Sequence, residues 1–302
     1  MVINRGAAIL LIISGGCIVL LGLFFAFLGI AFSSRDHLLS GPADRFKTIG
    51  ENTFLRYRIT DKGGPTVLLL HSFGSSLEMW NKVIDSLNVG RCVALDMSGQ
   101  GLSKGSITGR YDLESQHRMV IALMDSLGIH QEILVGCSMG ASVAAWTASL
   151  SPDRVCALLL IAPSALPGTM HHKWPMDYVY RPGIINSVLR SITETWIFKK
   201  YLLRSLALQS LDITGSYSND FADSLNAIRQ PVILVWSPDD RRVPFDASGR
   251  YLDRMKNVRL VKAAMGSGHN VPTADPALIA RLIMELCRPD PVMAGCDAIR
   301  KN

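Results

Sequence analysis

The feature that most constrains the fold of this chain is residues 132–150, EILVGCSMGASVAAWTASL. The stretch opens with a short apolar run that is typical of a buried strand, and it ends in small, helix-compatible residues before Pro152. Because the residue before a proline disfavours helical geometry, the predicted helix ends there. Between the strand and the helix lies Gly-x-Ser-x-Gly at residues 136–140. This order predicts a nucleophile elbow, a sharp turn that exposes the hydroxyl of Ser138 above the sheet.

The two glycines of this motif, Gly136 and Gly140, are predicted to be required by the turn. A Cβ atom at either position would collide with the neighbouring strand or helix. The alternative is an ordinary glycine-rich turn, since glycine and serine are common in this chain. A catalytic Ser138 also needs a base, an acid that orients the base, and an oxyanion hole elsewhere in the sequence.

The composition suits one large α/β domain with an insertion. The chain has 302 residues, of which 48% are hydrophobic and 19% charged, so it can bury a sizeable core. The formal net charge of +6 is spread without a basic stripe, which argues against a nucleic-acid partner. None of the 6 cysteines has metal-ligand spacing, so no metal site is predicted. Buried free thiols are expected at Cys92, Cys137 and Cys156.

Residues 6–32 contain no charged side chain. Because about 20 apolar residues span a bilayer, this segment predicts a single-pass transmembrane anchor, with a polar linker over residues 33–45. A cleaved signal peptide is the alternative, but its apolar core is usually only about 7–15 residues long. The predicted localisation is therefore the membrane. The positive-inside rule favours the cytoplasmic side for the catalytic domain without settling it.

The pattern changes after this linker. Alternating residues over 46–49 and 53–60 predict an antiparallel hairpin. Continuous apolar runs that alternate with helical segments then predict a mostly parallel sheet with helices on both faces. Further strands are predicted at Thr66–Leu70, Arg91–Leu95, residues 133–135, Val155–Ile161, Val232–Trp236 and Val258–Val261, and helices at about residues 77–87, 112–128, 245–255 and 275–287.

The alternation is interrupted between residues 164 and 229, a segment that is richer in aromatic and basic residues. We interpret residues 164–229 as a helical cap over the carboxyl edge of the sheet, where open α/β sheets bind ligands. The predicted core accordingly comprises residues 46–163 and 230–288. Residues 289–302 are predicted to form a flexible tail.

Candidates for the acid and the base follow two later strands. Asp240 comes shortly after the strand that ends at Trp236, and His269 follows the next strand. Since the carboxyl ends of parallel strands meet at one edge of a sheet, these loops and Ser138 are expected to lie together. The chain order Ser, Asp, His is that of one known type of catalytic triad. Asp239 is the alternative acid.

From about residue 46 to residue 287 the chain resembles the serine-nucleophile branch of the α/β-hydrolase fold superfamily, because several motifs agree in order. Asp240 matches the acid of that family in Gly-x-x-Asp-x-x-x-Pro, although Ser237 replaces the glycine. His269 matches the Gly-His that follows the last strand. The resemblance implies an α/β-hydrolase fold with a triad of Ser138, Asp240 and His269.

The resemblance also implies an oxyanion hole. Residues 71–74, His-Ser-Phe-Gly, follow the first parallel strand, where relatives carry His-Gly-x-x. The implied donors are the backbone N–H groups of Phe73 and Met139, which would stabilise charge on the substrate oxygen. Ser72 stands where the family has glycine. His71 is interpreted as an anchor for the loop.

Residues 96–103 resemble another loop of this family, Asp-x-x-Gly-His-Gly-x-Ser, with Gln100 in place of the histidine. We interpret this loop as a structural element that borders the site.

The predicted function is hydrolysis of carboxylic esters through an acyl-enzyme, without a cofactor. With the predicted anchor, the resemblance extends to membrane-anchored monoacylglycerol lipases and esterases, so the expected substrate is a small-molecule or lipid ester. Two alternatives stay open. The same triad can cleave another acyl bond (carbon–carbon, thioester, lactone or amide) or act as a perhydrolase, and a hydrolase scaffold can serve as a ligand-binding protein with vestigial turnover. The oligomeric state is not predicted.

Overall fold

The computed structural model describes residues 41–169 and 213–288, apart from positions 52, 89 and 214–216. Its strands are β1 (Asp44–Ile49), β2 (Thr53–Asp61), β3 (Thr66–Leu70), β4 (Arg91–Leu95), β5 (Glu132–Cys137), β6 (Val155–Ile161), β7 (Val232–Trp236) and β8 (Val258–Lys262). They form one 8-stranded sheet in the order β1-β2-β4-β3-β5-β6-β7-β8.

The amino-terminal hairpin forms one edge of this sheet. β1 and β2 are antiparallel, with Asp44 opposite Arg58 and Ile49 opposite Thr53. The connection includes a residue in the left-handed region, which Gly50 adopts without steric strain at a φ of 61°. β2 is also antiparallel to β4, whereas the other neighbouring strands are parallel. The predicted hairpin and the mostly parallel sheet are confirmed.

Helices cover both faces of the sheet. They are α1 (Asn81–Ser86), α2 (Leu113–Ser126), α3 (Met139–Leu150), α4 (Asn219–Ser224), α5 (Ala247–Leu252), α6 (Val271–Ala274) and α7 (Pro276–Leu286). Successive residues of a strand point to opposite faces. Leu68 and Leu70 therefore join a core with residues of α2 to α5, and Val67 and Leu69 join a second core with residues of α1, α6 and α7. The predicted arrangement of helices is confirmed.

The helix ends differ from the predicted ends for identifiable reasons. The helix predicted over residues 77–87 divides into a 3-10 turn, Leu77–Trp80, and α1. The helix predicted over residues 112–128 is α2, which is shorter at both ends. Asp112 is its N-cap, accepting a hydrogen bond from the Ser115 N–H at 2.9 Å. Gly128 lies beyond its carboxyl end with a left-handed φ of 65°.

The predicted membrane localisation is corrected by the structure. Among the described residues, no helix is long and apolar enough to cross a bilayer. The longest helix of this part of the chain, α2, has 14 residues. At about 1.5 Å per residue it is roughly 21 Å long, against a hydrocarbon thickness of about 30 Å. Residues 6–32, on which the predicted single-pass anchor depended, lie outside the described residues, and no side of a membrane is assigned.

Other predicted domain boundaries also fall outside the described residues. This applies to the tail (residues 289–302), to residues 33–40 of the linker (residues 33–45), and to residues 170–212 of the cap (residues 164–229). Their assignments therefore stay predictions.

The cysteines divide into two groups. Cys92 and Cys137 are buried free thiols, as predicted. The prediction is wrong for Cys156, which is disulfide-bonded. Cys156 is only half-buried near the start of β6, so its sulfur is less enclosed by the core than the free thiols are.

A buried ion cluster connects the hairpin to the loops at the carboxyl edge. Arg56, on β2, has a side chain that is 1% exposed, and it pairs with Asp44 at 2.7 Å and with Asp96 at 3.0 Å. It also pairs with Glu78, in the 3-10 turn after β3. Arg58 adds a second cation by pairing with Asp44 at 2.6 Å. Removing one member of a buried ion pair leaves an unpaired charge and costs about 3–5 kcal/mol of stability. Each residue of this cluster therefore restricts the positions of the others.

Glu132, the first residue of β5, is a buried carboxyl group without a partner. Its side chain is among the buried polar groups at 1% exposure, and in the described structure neither carboxyl oxygen has a hydrogen-bond partner. Burial raises the pKa of Glu132 well above its usual range, and the charge of Arg154 offsets only part of this effect. The protonated form is therefore favoured in the folded state.

This carboxyl group makes stability depend on pH. Because the pKa of Glu132 is higher in the folded than in the unfolded chain, its contribution is fully present below the unfolded value and is lost as pH rises. We expect Glu132→Met to raise the free energy of unfolding at pH 7 by about 1–3 kcal/mol, since the change removes an unsatisfied buried group. Urea unfolding at several pH values between about 5 and 8 measures this effect.

Glu132→Gln is the matched control for this prediction. It removes the ionisation but keeps a buried polar group, so it should flatten the pH dependence with a smaller gain in stability. A Glu132→Met variant that is less stable than the wild type at pH 7, with an unchanged pH dependence, would contradict the prediction.

Candidate active site

The predicted site residues lie in loops that leave the carboxyl ends of four strands. Residues 71–74 follow β3, Ser138 follows β5, Asp240 follows β7 and His269 follows β8. β3 is hydrogen-bonded to β5, and β5 to β8 are neighbours in sequence order. The sheet thus brings all four loops to one edge.

Ser138 occupies a strained turn between β5 and α3. Its φ of 54° and ψ of −114° lie in a region that non-glycine residues rarely adopt. The Ser138 N–H donates to the Ile161 carbonyl at 2.8 Å, which fixes the turn to β6. A Cβ at Gly136 would overlap the backbone of Gly140, and one at Gly140 would overlap the carbonyl groups of Leu70 and His71. Small residues on both sides therefore allow the sharp turn.

His269 and Asp240 form a hydrogen-bonded pair. The Nδ1 atom of His269 lies 2.7 Å from Oδ2 of Asp240, and the Asp240 side chain is fully buried. The other carboxylate oxygen, Oδ1, accepts the backbone N–H groups of Arg242 at 2.9 Å and Val243 at 3.0 Å. These contacts hold the carboxylate in the orientation that receives Nδ1–H, which leaves Nε2 of the imidazole free to exchange a proton.

The loop that carries His269 packs against the elbow. The Cys137 thiol, in the residue before Ser138, lies 3.9 Å from the His269 carbonyl oxygen. The structure therefore brings the predicted base next to the turn that carries the predicted nucleophile.

Asp239, the alternative acid, makes different contacts from Asp240. Its carboxylate accepts the N–H groups of Gly266 at 3.0 Å and Gly268 at 3.2 Å, both in the loop before His269. The hydroxyl of Ser237 donates to the same carboxylate. This hydrogen bond foremost, together with those from the backbone, lowers the pKa of Asp239. Asp239 thus fixes the backbone of the loop, whereas Asp240 contacts the imidazole.

His71 orients the loop that follows β3. Its Nε2 accepts the Met97 N–H at 3.0 Å, so the proton is on Nδ1, which donates to the Ser72 carbonyl at 2.7 Å. In a planar trans peptide the carbonyl and the next N–H point in opposite directions. Fixing the Ser72 carbonyl therefore also fixes the direction of the Phe73 N–H.

The two predicted oxyanion donors have no acceptor within the described part of the chain. The Phe73 N–H forms no hydrogen bond there. Met139 is the first residue of α3, and the first N–H groups of a helix lack intrahelical partners. Both groups are consequently available to a ligand.

The Ser72 side chain contacts groups other than these donors. Its hydroxyl lies 3.8 Å from the Met79 sulfur and forms a hydrogen bond with the Cys137 thiol. Burial raises the pKa of this thiol to about 12, so Cys137 is a packing group at neutral pH. The serine that replaces the expected glycine therefore links the loop after β3 to Cys137, the last residue of β5.

Comparison with known proteins agrees with this architecture. Residues 65–195 match the family described as alpha/beta hydrolase fold. The chain has the fold of the α/β-hydrolase superfamily. The match covers residues 71–74, the turn at Ser138 and the strands between them, and together with the fold it shows that this is an α/β-hydrolase enzyme.

Two curated relatives show the range of activities among similar proteins. The dihydrolipoyllysine-residue acetyltransferase component of an acetoin cleaving system from Pseudomonas putida is 29% identical over 224 residues, 68% of this chain and 60% of that protein. This hydrolase thus spans less than two thirds of that relative. A 2-hydroxy-6-oxononadienedioate/2-hydroxy-6-oxononatrienedioate hydrolase from Paraburkholderia xenovorans is 25% identical over 235 residues, 68% of this chain and 81% of that protein.

A solved structure of a hydrolase from Pseudomonas aeruginosa superimposes with a TM-score of 0.63 at 20% identity. The superposition covers 82% of this chain and 99% of the Pseudomonas aeruginosa chain. At this identity the likeness concerns the fold alone.

The loop over residues 96–103 contacts the segment that follows β3. Asp96 accepts the N–H groups of Leu77 and Leu102, each at 2.7 Å. Among the described residues of the hydrolase, no group of three or more His, Cys, Asp or Glu side chains could hold a metal ion.

Two contacts of the site were not predicted from the sequence. They are the link from Asp239 to the loop before His269 and the link from Gln100 to the loop over residues 71–74. The only sequence signal was that Ser237 and Gln100 depart from the family pattern.

Proposed function

We propose that this α/β-hydrolase cleaves carboxylic esters, with Ser138 as nucleophile, His269 as general base and Asp240 as the residue that orients it. The observation that carries the proposal is the 2.7 Å hydrogen bond between His269 and Asp240, in a loop packed against the strained elbow. The N–H groups of Phe73 and Met139 complete the proposed site as an oxyanion hole.

In the first half of the proposed reaction, Ser138 Oγ attacks the ester carbonyl carbon while its proton passes to Nε2 of His269. The carbonyl oxygen becomes negatively charged and accepts the two backbone N–H groups. The tetrahedral intermediate then collapses, the alkoxide leaves, and it takes the proton from His269. An acyl group remains bound to Ser138.

In the second half, His269 takes a proton from water as the water oxygen attacks the acyl carbon. Collapse of this intermediate returns the proton to Ser138 and releases the carboxylic acid. The Asp240 carboxylate stabilises the imidazolium in both halves and stays ionised.

An ester suits the described groups because its leaving group is an oxygen. The proton on His269 can pass directly to the departing alkoxide, so the triad and two donors suffice. A carbon leaving group needs the negative charge to be delocalised in the substrate and a proton to be delivered to carbon.

Hydrolysis of a carbon–carbon bond is the second candidate. Its support is the likeness to a 2-hydroxy-6-oxononadienedioate/2-hydroxy-6-oxononatrienedioate hydrolase at 25% identity. The same serine and base would serve, and the difference would lie in groups that bind the substrate.

We also propose that residues 164–229 cover the site. The described start of this segment leaves β6 beside the elbow, where the Ser142 hydroxyl accepts the N–H groups of Ser164 at 2.9 Å and Ala165 at 3.0 Å. The same hydroxyl donates to the Ser138 carbonyl at 3.2 Å. A cap that starts there is placed to select the acyl group.

The test is turnover by the full chain of p-nitrophenyl esters of increasing acyl length, a monoacylglycerol and a 2-hydroxy-6-oxo-dienoate. Saturable ester hydrolysis with the highest kcat/KM of the panel is expected, and the preferred acyl length then reports the depth of the pocket. Preference for the dienoate would replace the ester proposal with carbon–carbon hydrolysis. Binding of these compounds without turnover would instead favour a ligand-binding role.

A further inference from the structure

Gln100 contacts both of the segments that carry the proposed oxyanion donors. Its side chain is buried, with 3% exposure, although a primary amide is strongly polar. Its Oε1 accepts the Gly74 N–H at 2.8 Å, in the residue after Phe73. Its Nε2 lies 3.5 Å from the sulfur of Met139, whose backbone N–H is the second proposed donor.

These contacts act on the direction of the donors. The Gly74 N–H belongs to the peptide plane on one side of Phe73, and the Ser72 carbonyl, held by His71 at 2.7 Å, belongs to the plane on the other side. With both planes fixed, the Phe73 N–H has little rotational freedom. A fixed donor is needed because charge on the substrate oxygen develops only during the reaction.

The backbone of Gln100 is itself held in place by its own loop. The Gln100 N–H donates to the Met97 carbonyl at 2.9 Å, and its carbonyl accepts the Ser103 N–H at 3.0 Å. The Ser103 hydroxyl donates to the Asp96 carbonyl at 2.7 Å. The loop therefore supplies a rigid support for the side chain.

We propose that Gln100 is a positioning residue that sets the alignment of the Phe73 and Met139 donors. This inference rests on the proposed function, because it requires that these donors stabilise an oxyanion. Gln100 acts through the two donors and does not contact the reacting atoms. Its removal should therefore reduce kcat and leave KM nearly unchanged, since substrate and transition state differ in the charge on this oxygen.

Gln116 offers a matched control. It is a fully buried glutamine that holds the loop over residues 96–103 at Ser98, through hydrogen bonds with the N–H and the carbonyl, each at 3.2 Å. It has no described contact with residues 71–74 or with Met139. Gln116→Leu thus removes the same kind of side chain without touching the proposed donors.

The experiment compares Gln100→Leu with Gln116→Leu in the full chain. For Gln100→Leu we expect kcat to fall about 10–100-fold with KM within about threefold, since one donor typically contributes about 10²–10³ and here would be misaligned rather than lost. For Gln116→Leu we expect near wild-type kcat. Gln100→His, which restores a ring nitrogen as an acceptor for the Gly74 N–H, should recover part of the activity.

A fluorophosphonate probe separates this inference from the choice of substrate. Ser138 Oγ displaces fluoride from phosphorus while His269 takes the hydroxyl proton, and the phosphoryl oxygen occupies the proposed oxyanion hole, so labelling needs no ester specificity. Gln100→Leu should label about 10–100-fold more slowly than Gln116→Leu. If the wild type labels but turns over no ester, the proposed ester specificity fails while the labelling ratio still decides on Gln100.

Three results would overturn the inference. They are equal losses of kcat or labelling rate in the two leucine variants, a Gln100→Leu effect confined to KM, and the absence of labelling in the wild type. The last result would overturn the proposed nucleophile as well. If Gln100→Leu fails to fold, Gln100→Asn, whose amide is one methylene shorter, replaces it in the comparison, and equal labelling rates of Gln100→Asn and Gln116→Leu would overturn the inference.

Discussion

Replacing Ser138 by alanine is expected to reduce ester turnover by about 10⁶-fold in kcat, because removal of the nucleophile disables the other members of a triad that act with it. The change deletes one buried oxygen. Alanine, like serine, carries a Cβ atom, so the backbone of the turn is unchanged. The protein should therefore fold, and circular dichroism with a melting curve verifies this. Initial rates of p-nitrophenyl ester hydrolysis measure the effect.

Ser149→Ala is the control for this variant. Ser149 lies on α3, the helix that follows Ser138, and its hydroxyl donates locally, to the Trp146 carbonyl at 2.8 Å. We expect this variant to keep wild-type activity. A Ser138→Ala protein that is folded and retains more than about 1% of wild-type turnover would show that Ser138 is not the nucleophile.

Replacing Asp240 by asparagine is expected to lower kcat by about 10⁴-fold. An asparagine can present its NH₂ to Nδ1 of His269, which favours the imidazole tautomer with the proton on Nε2. That tautomer cannot accept the proton of Ser138. The isosteric change leaves the volume of the site intact, so the loss is expected in kcat, measured with the best ester of the panel.

Asp239→Asn is the matched variant, because it changes the adjacent carboxylate in the same way. Asp239 contacts the backbone at Gly266 and Gly268 and makes no described contact with the imidazole. We expect a loss of about tenfold or less, the scale of one or two weakened hydrogen bonds. The reverse ranking of the two variants would assign Asp239 as the catalytic acid and refute the proposed role of Asp240.

The sequence predicted the strands well because buried parallel strands are continuous apolar runs with sharp ends. β3, β4, β6 and β7 have the predicted limits, and the predicted hairpin matches β1 and β2 within two residues. Helix ends were less well predicted, since they depend on caps such as Asp112. The order of the strands was not predicted, because adjacency in a sheet depends on contacts between distant segments.

The candidate site likewise has residues that could be predicted from the sequence and residues that could not. Ser138, Asp240 and His269 could be chosen from local motifs, each placed after an apolar run. The contacts that support the site could not be predicted in this way, because they join residues far apart in the chain. Arg56 and Asp96 are 40 positions apart, and Gln100 and Met139 are 39 positions apart. The unpaired burial of Glu132 was also missed, since a charged residue at the start of a strand usually reaches solvent.

The left-handed turn at Ser138 has a consequence for engineering this enzyme. A non-glycine residue at a φ of 54° carries strain, of order 1–3 kcal/mol, that a glycine would not. Thermal stability and the proposed catalytic role of Ser138 are therefore opposed at this position, and a library screened only for melting temperature would enrich proteins that have lost the hydroxyl. Selection for a more durable version of this hydrolase should hold residue 138 fixed and seek stability elsewhere.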